Sequence, residues 1–222
     1  MLRRQVSFTK SRSARLRLEA EFVRDNALSI AGLLNEDIGG PSAFPYQPPG
    51  YYANLQFPDR DYYPDKDERQ YRRGVYAHWQ RTFLQPMLAN FDAPAREVCT
   101  ASRVVSNTPQ QALTLLNDPT FVECARVFAG RLLALKAQSD EQRLELALQR
   151  ALARPAKARE KTSLLSFLKA QRDHELQDAE GPAKLIKVGL APAPKNADAN
   201  ELAAWTQVCR VLLNLHETIT RY

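Results

Sequence analysis

The sequence predicts a mainly α-helical protein with one long irregular Pro/Tyr-rich insertion. Three observations lead there. Apolar residues recur at helical spacing in several separate stretches. Two cap-and-proline pairs, Thr108-Pro109 and Asp118-Pro119, announce consecutive helix starts. Between residues 44 and 64, prolines and tyrosines crowd so closely that a long helix is impossible and a sheet is disfavoured.

The first helix is predicted from about Ala14 to Asn35, with Leu18, Phe22, Asn26-Ala27, Ile30 and Leu33-Leu34 recurring along it and Arg17, Glu21 and Arg24 elsewhere on the wheel. Gly39-Gly40-Pro41 is expected to end it. The run from Phe44 to Pro64 reads either as an ordered loop strapped over the helical core or as an aromatic platform for a ligand, with Tyr46 and Tyr51 as its candidates. From Tyr71 to Leu84, Val75, Trp79 and Phe83 fit one helical face, while Val75-Tyr76-Ala77 fits an extended segment equally well. Pro86 is expected to stop either one. His78 beside Trp79 reads as a packed residue.

The chain is organised around Phe91 to Phe121. Asp92, Arg96, Glu97 and Arg103 lie in a polar run without apolar periodicity, which reads as an ordered loop. Asn107 then precedes Thr108-Pro109-Gln110-Gln111, a capping box in which Thr108 caps and Gln111 reaches back. Residues 91–107 are expected to form a non-helical clamp on the helix from Pro109, with Arg96 and Arg103 facing acids such as Asp92. An external sulfate or carboxylate held by forked arginine donors is the competing reading.

The helix from Pro119 carries Phe121, Ala125, Phe128, Leu132 and Leu135 on one face, with Glu123, Arg126 and Arg131 around the other. Asp140 is expected to cap the next helix, which Arg154-Pro155 breaks. A charged helix runs from about Ala156 to Asp178, and a connector from Ala179 to Asn200. Asp198 caps the last helix, whose face is Trp205, Val208-Cys209, Leu212 and Ile219.

Chemistry-bearing patterns are sparse. The chain has no Cys-x-x-Cys-His for covalent haem, and His78, His174 and His216 are not grouped with other metal ligands, so neither a haem nor a metal is expected in this chain. Gly39-Gly40-Pro41-Ser42 lacks the lysine of a phosphate loop. Cys99 lies near Arg96 and Arg103, which favour a thiolate, but no histidine is nearby in sequence. Asp92 and Glu97 are a possible acid–base pair, although arginines at this spacing suggest ion pairing. The 222 residues are 44% hydrophobic and 25% charged, ordinary for a globular protein, and no window is long and apolar enough to span a bilayer. Net charge is +6, but six bases precede Glu19, and without them acids and bases balance. A basic arm on a neutral body does not point to nucleic acid.

Several motifs together are similar to a known family. They are Arg17-Leu18-Glu19-Ala20-Glu21-Phe22-Val23-Arg24-Asp25, Gly39-Gly40-Pro41-Ser42, Pro45-Tyr46-Gln47-Pro48-Pro49-Gly50 and Tyr71-Arg72-Arg73. Phe91-Asp92-Ala93-Pro94-Ala95-Arg96-Glu97, Ser106-Asn107-Thr108-Pro109-Gln110-Gln111-Ala112-Leu113, Asn117-Asp118-Pro119, Leu202-Ala203-Ala204-Trp205-Thr206 and Leu212-Leu213-Asn214-Leu215 continue the match. The chain resembles the C-terminal domain of unknown function, DUF1553, of planctomycete and verrucomicrobial proteins whose N-terminal regions carry c-type cytochrome modules. That resemblance implies a periplasmic, secreted or cell-envelope setting and a haem-bearing neighbour, and supplies no catalytic residues. The expected division is a basic arm or remnant linker over 1–16 and a single domain over 17–222. Its expected role is non-catalytic, binding or positioning a partner. The alternative is an enzyme or binding domain for sulfated or uronic polysaccharide, with Asp92, Arg96, Arg103 and Asn107 central and Tyr46 and Tyr51 as platform.

Overall fold

A computed structural model describes residues 16–51, 61–80, 83–136, 139–177, 180–194 and 197–221. The fold is mainly α, with one two-stranded sheet among the described residues. The sheet pairs β1 (Leu16–Arg17) antiparallel to β2 (Thr220–Arg221), a contact that no pattern in the sequence announced.

The first helix, α1, spans Ala20–Ala31 and is shorter than its periodicity suggested. Gly32, at φ 73°, ends it in the left-handed conformation, its N–H donating to the Leu28 and Ser29 carbonyls. A Cβ there would fall inside the Arg131 guanidinium, which donates to the Ala31 carbonyl at 2.8 Å. The buried face is also rotated from the expected one. Phe22 is 56% exposed, whereas Glu21 and Arg24 are buried because each has partners inside. Arg24 donates to the carbonyls of Gln70 and Arg72.

The insertion that follows is irregular, as its prolines require, and is held by isolated bridges (Asn35 to Arg72, Ala43 to Ala77) and two 3-10 turns, Glu68–Tyr71 and Gly74–Tyr76. Val75, Trp79 and Phe83 therefore share no helical face, and Val75 is exposed. Gly74 sits where any side chain would strike the α1 backbone at Glu21, and its N–H donates to Asp25 at 2.7 Å. Residues 52–60 of the Pro/Tyr run, and residues 81–82, lie outside the described residues. Pro86 starts a helix, α2 (Pro86–Asn90), where the sequence suggested a stop. Its missing N–H costs nothing at the first helical position, and the Gln85 side chain caps Leu88 N–H at 2.9 Å.

The two expected starts hold. Thr108 caps α3 (Pro109–Asn117), and Asp118 both closes α3 and caps α4 (Pro119–Ala134). Then come α5 (Asp140–Leu152), capped by Ser139 one residue before the expected position, and α6 (Ala158–Gln177). The connector contains a short α7 (Gly181–Leu185), and Asp198 caps α8 (Ala199–Leu213). Ile219 packs on the core from beyond the end of α8. In α4 the predicted outer residues Glu123 and Arg126 are each 1% exposed, while Leu135, expected on the inner face, follows the end of the helix and is exposed.

The core lies between α4 and α8, with α1 packed on α4 and α6 on α8. Phe121, Cys124, Ala125 and Phe128 face Trp205, Val208, Cys209 and Leu212, and none of these is more than 1% exposed. Small residues at Ala125, Ala129 and Ala204 let the helices approach. Arginines close several helices on carbonyls of the last turn. Arg131 and Arg150 serve α1, Arg143 serves α4 through Leu132, and Arg210 serves α3 through Leu116. No helix among the described residues is long and apolar enough to cross a membrane.

Candidate functional site

The clamp begins where α2 ends. Asp92 N–H donates to the Ala89 carbonyl at 3.0 Å and Ala93 N–H to the Leu88 carbonyl at 3.1 Å, a Schellman closure with Asp92 at φ 62°. Glycine is usual in that conformation, but aspartate tolerates it. The closure aims the carboxylate across the loop at Ser106, whose N–H and hydroxyl donate to it at 2.9 and 2.8 Å.

Arg17 supplies the countercharge. Its guanidinium ion-pairs with Asp92 and donates to the carbonyls of Ser106 and Phe91 and to Gln111 Oε1. Gln111 completes the neck, with its amide N–H on Ser106 Oγ at 3.1 Å. Its backbone N–H does meet the Thr108 hydroxyl, but its side chain turns to the neck and does not reach back to the cap. Burial pushes the Asp92 carboxyl up, but hydrogen bonds from Arg17 and Ser106 outweigh it and hold it below the usual carboxylate range.

Arg103 and Arg96 do not face Asp92, as the sequence suggested. Arg103 Nη1 meets Glu21 at 2.6 Å and Glu19 at 3.3 Å, both at the start of α1. Arg96, at φ 61°, lies over the Trp79 ring at 4.2 Å, with Glu21 at 3.9 Å. The Trp79 indole N–H donates to the Ala95 carbonyl. Asn107, Glu97 and Cys99 are exposed. The loop is thus a compact excursion tied at its neck, with Val98, Val104 and Val105 between 67% and 75% exposed on its outside. Beside it lies a cavity of about 280 Å³ lined by Leu16, Phe22, Val104, Val105 and the arginines 103 and 221, among others.

Tyr46 and Tyr51 do not line that cavity. Tyr46 donates its hydroxyl to Glu123 at 2.9 Å, and Tyr71 donates to the same carboxylate at 2.8 Å. Ala191 N–H adds a third bond at 2.6 Å, and Arg126 lies 3.8 Å away while its Nε donates to the Val188 carbonyl. Burial and the neighbouring Glu123 carboxylate push both tyrosine hydroxyls well above their ordinary value, so they are permanent donors. Tyr51 packs edge-on against Phe83 at 5.9 Å. The predicted charged residues and the predicted aromatics therefore belong to separate clusters.

Sequence reasoning missed Arg17, Ser106, Gln111 and Glu21 as partners of the clamp. It also missed Glu123 as a buried anchor. A Glu–Arg pair three residues apart, set among Phe121, Cys124 and Ala125, was the available signal. Among the described residues no group of three or more His, Cys, Asp or Glu is placed to hold a metal ion.

Fold and site together define a helical domain carrying a loop in which Asp92, Arg96 and Arg103 are met by Arg17, Glu19 and Glu21. The chain belongs to the family of proteins of unknown function DUF1553, whose family model matches residues 7–168. That span ends inside α6, while the core continues through α8. No curated protein and no solved structure matches the chain.

Proposed function

We propose that this chain is a non-catalytic docking module of the cell envelope, which positions a haem-bearing c-type cytochrome domain or protein. One observation carries the reading. Asp92 and Arg103 are engaged by Arg17, Glu19 and Glu21, while Leu16, Phe22, Val104 and Val105 stand at least half exposed around one cavity. Single exposed apolar residues are ordinary, but four around one concavity mark an interaction site. The haem-bearing identity of the partner and the envelope setting rest on the family resemblance.

The competing polysaccharide reading needs arginine forks open to an anion and tyrosine faces beside them. Arg103 is committed to Glu21 and Glu19, Arg96 lies over the Trp79 ring, and the Tyr46 hydroxyl is committed to Glu123.

The test titrates the purified chain with a c-type cytochrome domain from a protein that carries both modules, and separately with sulfated and uronic oligosaccharides. Saturable binding of the cytochrome domain, weakened by Val105→Asp, is expected. Oligosaccharide binding lost in Arg103→Lys, with no cytochrome binding, would overturn the proposal.

A further inference from the structure

The cavity beside the loop has a size, a lining and a charge that together describe an occupant. At about 280 Å³ it falls just below the roughly 300–1,000 Å³ of pockets that enclose whole ligands, so it suits one inserted side chain. Its exposed walls are aliphatic and aromatic: Leu16 (50% exposed), Phe22 (56%), Val104 (73%) and Val105 (67%).

Three arginines and two acids share the lining. Asp92 is taken by Arg17, and Glu19 by Arg103. That leaves Arg221, exposed on β2 directly across from Leu16, with no acid in ion-pair range among the described residues. The rim is therefore cationic and the walls apolar.

We propose that the cavity seats a large aliphatic side chain from an acidic segment of the partner protein, whose flanking carboxylates meet Arg221. This rests on the docking reading above and adds the chemistry of what docks. Aliphatic burial supplies the affinity, and the exposed charge sets orientation and salt dependence. An uncharged or basic segment lacks the second contact, and a polysaccharide lacks the first.

The experiment measures fluorescence anisotropy of a labelled synthetic octapeptide, two leucines flanked by aspartates and glutamates, with the full chain. Two control peptides replace the leucines with serine or the acids with lysine. Only the acidic leucine peptide is expected to bind, more weakly as salt rises. Val104→Asp and Arg221→Glu should each weaken it roughly tenfold, about 1.4 kcal/mol. Ile38→Asp, the same kind of change at an exposed aliphatic residue of another cavity, should leave it unchanged.

Failure of the acidic peptide to bind, equal binding of the lysine peptide, or indifference to both variants would overturn the inference. So would a chain dimer dissociated by Val104→Asp, which would assign the cavity to a second copy. The cytochrome titration is run in parallel to separate the two proposals. Cytochrome binding without peptide binding sinks only the acidic-segment inference, and peptide binding without cytochrome binding sinks only the haem-bearing partner.

Discussion

Glu123 is a carboxylate almost wholly removed from water, a position that is unfavourable unless every lone pair is met. Two tyrosine hydroxyls and the Ala191 N–H donate to it, with the Arg126 guanidinium 3.8 Å away, joining the irregular insertion and the segment after α7 to α4 through one side chain. Gly189 is required beside it, since a Cβ there would lie 2.1 Å from the carboxylate carbon. Glu123→Ala leaves Arg126 buried without its acid and should cost about 3–5 kcal/mol, read by denaturant unfolding. Tyr46→Phe removes one donor and should cost about 1–3 kcal/mol. A Glu123→Ala protein as stable as the parent would show that the cluster anchors nothing. Arg17 and Arg103 make a second comparison. Arg17 uses both terminal nitrogens on four acceptors, whereas Arg103 presents a single nitrogen to its glutamates. Lysine reproduces the second geometry and not the first. Arg17→Lys should therefore lower stability by about 1–3 kcal/mol and Arg103→Lys by less than about 1. Equal melting temperatures for the two variants would contradict this.

At the scale of elements, local chemistry was legible and partner choice was not. Thr108, Asp118 and Asp198 cap where the sequence places them, because capping is decided within four residues. Spacing placed Phe121, Ala125, Phe128 and Leu132 of α4 and Trp205, Val208, Cys209 and Leu212 of α8 in the core, but it also put Glu123 and Arg126 outside, where they are buried, and Leu135 and Ile219 on helices that end before them. Asp92 has arginines at 96 and 103 nearby in sequence, yet its partner is Arg17, brought in by the β1–β2 pairing. That distance in the chain leaves no periodic trace. The α1 face was misread for the same reason: Glu21 and Arg24 look solvated until Arg103 and the carbonyls of residues 70 and 72 are in place.

The start of α6 shows how such ties respond to pH. Arg154 bridges Glu160, in the first turn of α6, and Glu217, in the turn before β2, at 2.8 and 2.7 Å. Hydrogen bonding to Arg154 holds the Glu160 carboxyl down at about 2, against an ordinary 4.5. A depressed acid stabilises fully above its unfolded value and less as pH falls toward its folded one. Glu160→Gln should therefore cost about 1 kcal/mol near neutrality, and the gap should close between about pH 4.5 and 2. A gap that widens on acidification would reverse the assigned sign.

Across the whole molecule, several arginine head groups serve the backbone, and Arg24, Arg72 and Arg126 among them are buried. Arg24, Arg72, Arg126, Arg131, Arg143, Arg150 and Arg210 all donate to backbone carbonyls, closing helix ends and tying down irregular segments. Composition alone records these residues as basic surface, and only their placement shows them as structural. The exposed apolar rim beside the tied loop is the surface our proposal assigns to a partner. Hydrogen exchange of the full chain, with and without a bound c-type cytochrome domain, locates that partner directly. The account predicts added protection across residues 16–22 and 98–105, with residues 44–51 unchanged. Protection confined to 44–51 and 61–80, with the loop exchanging as before, would contradict it.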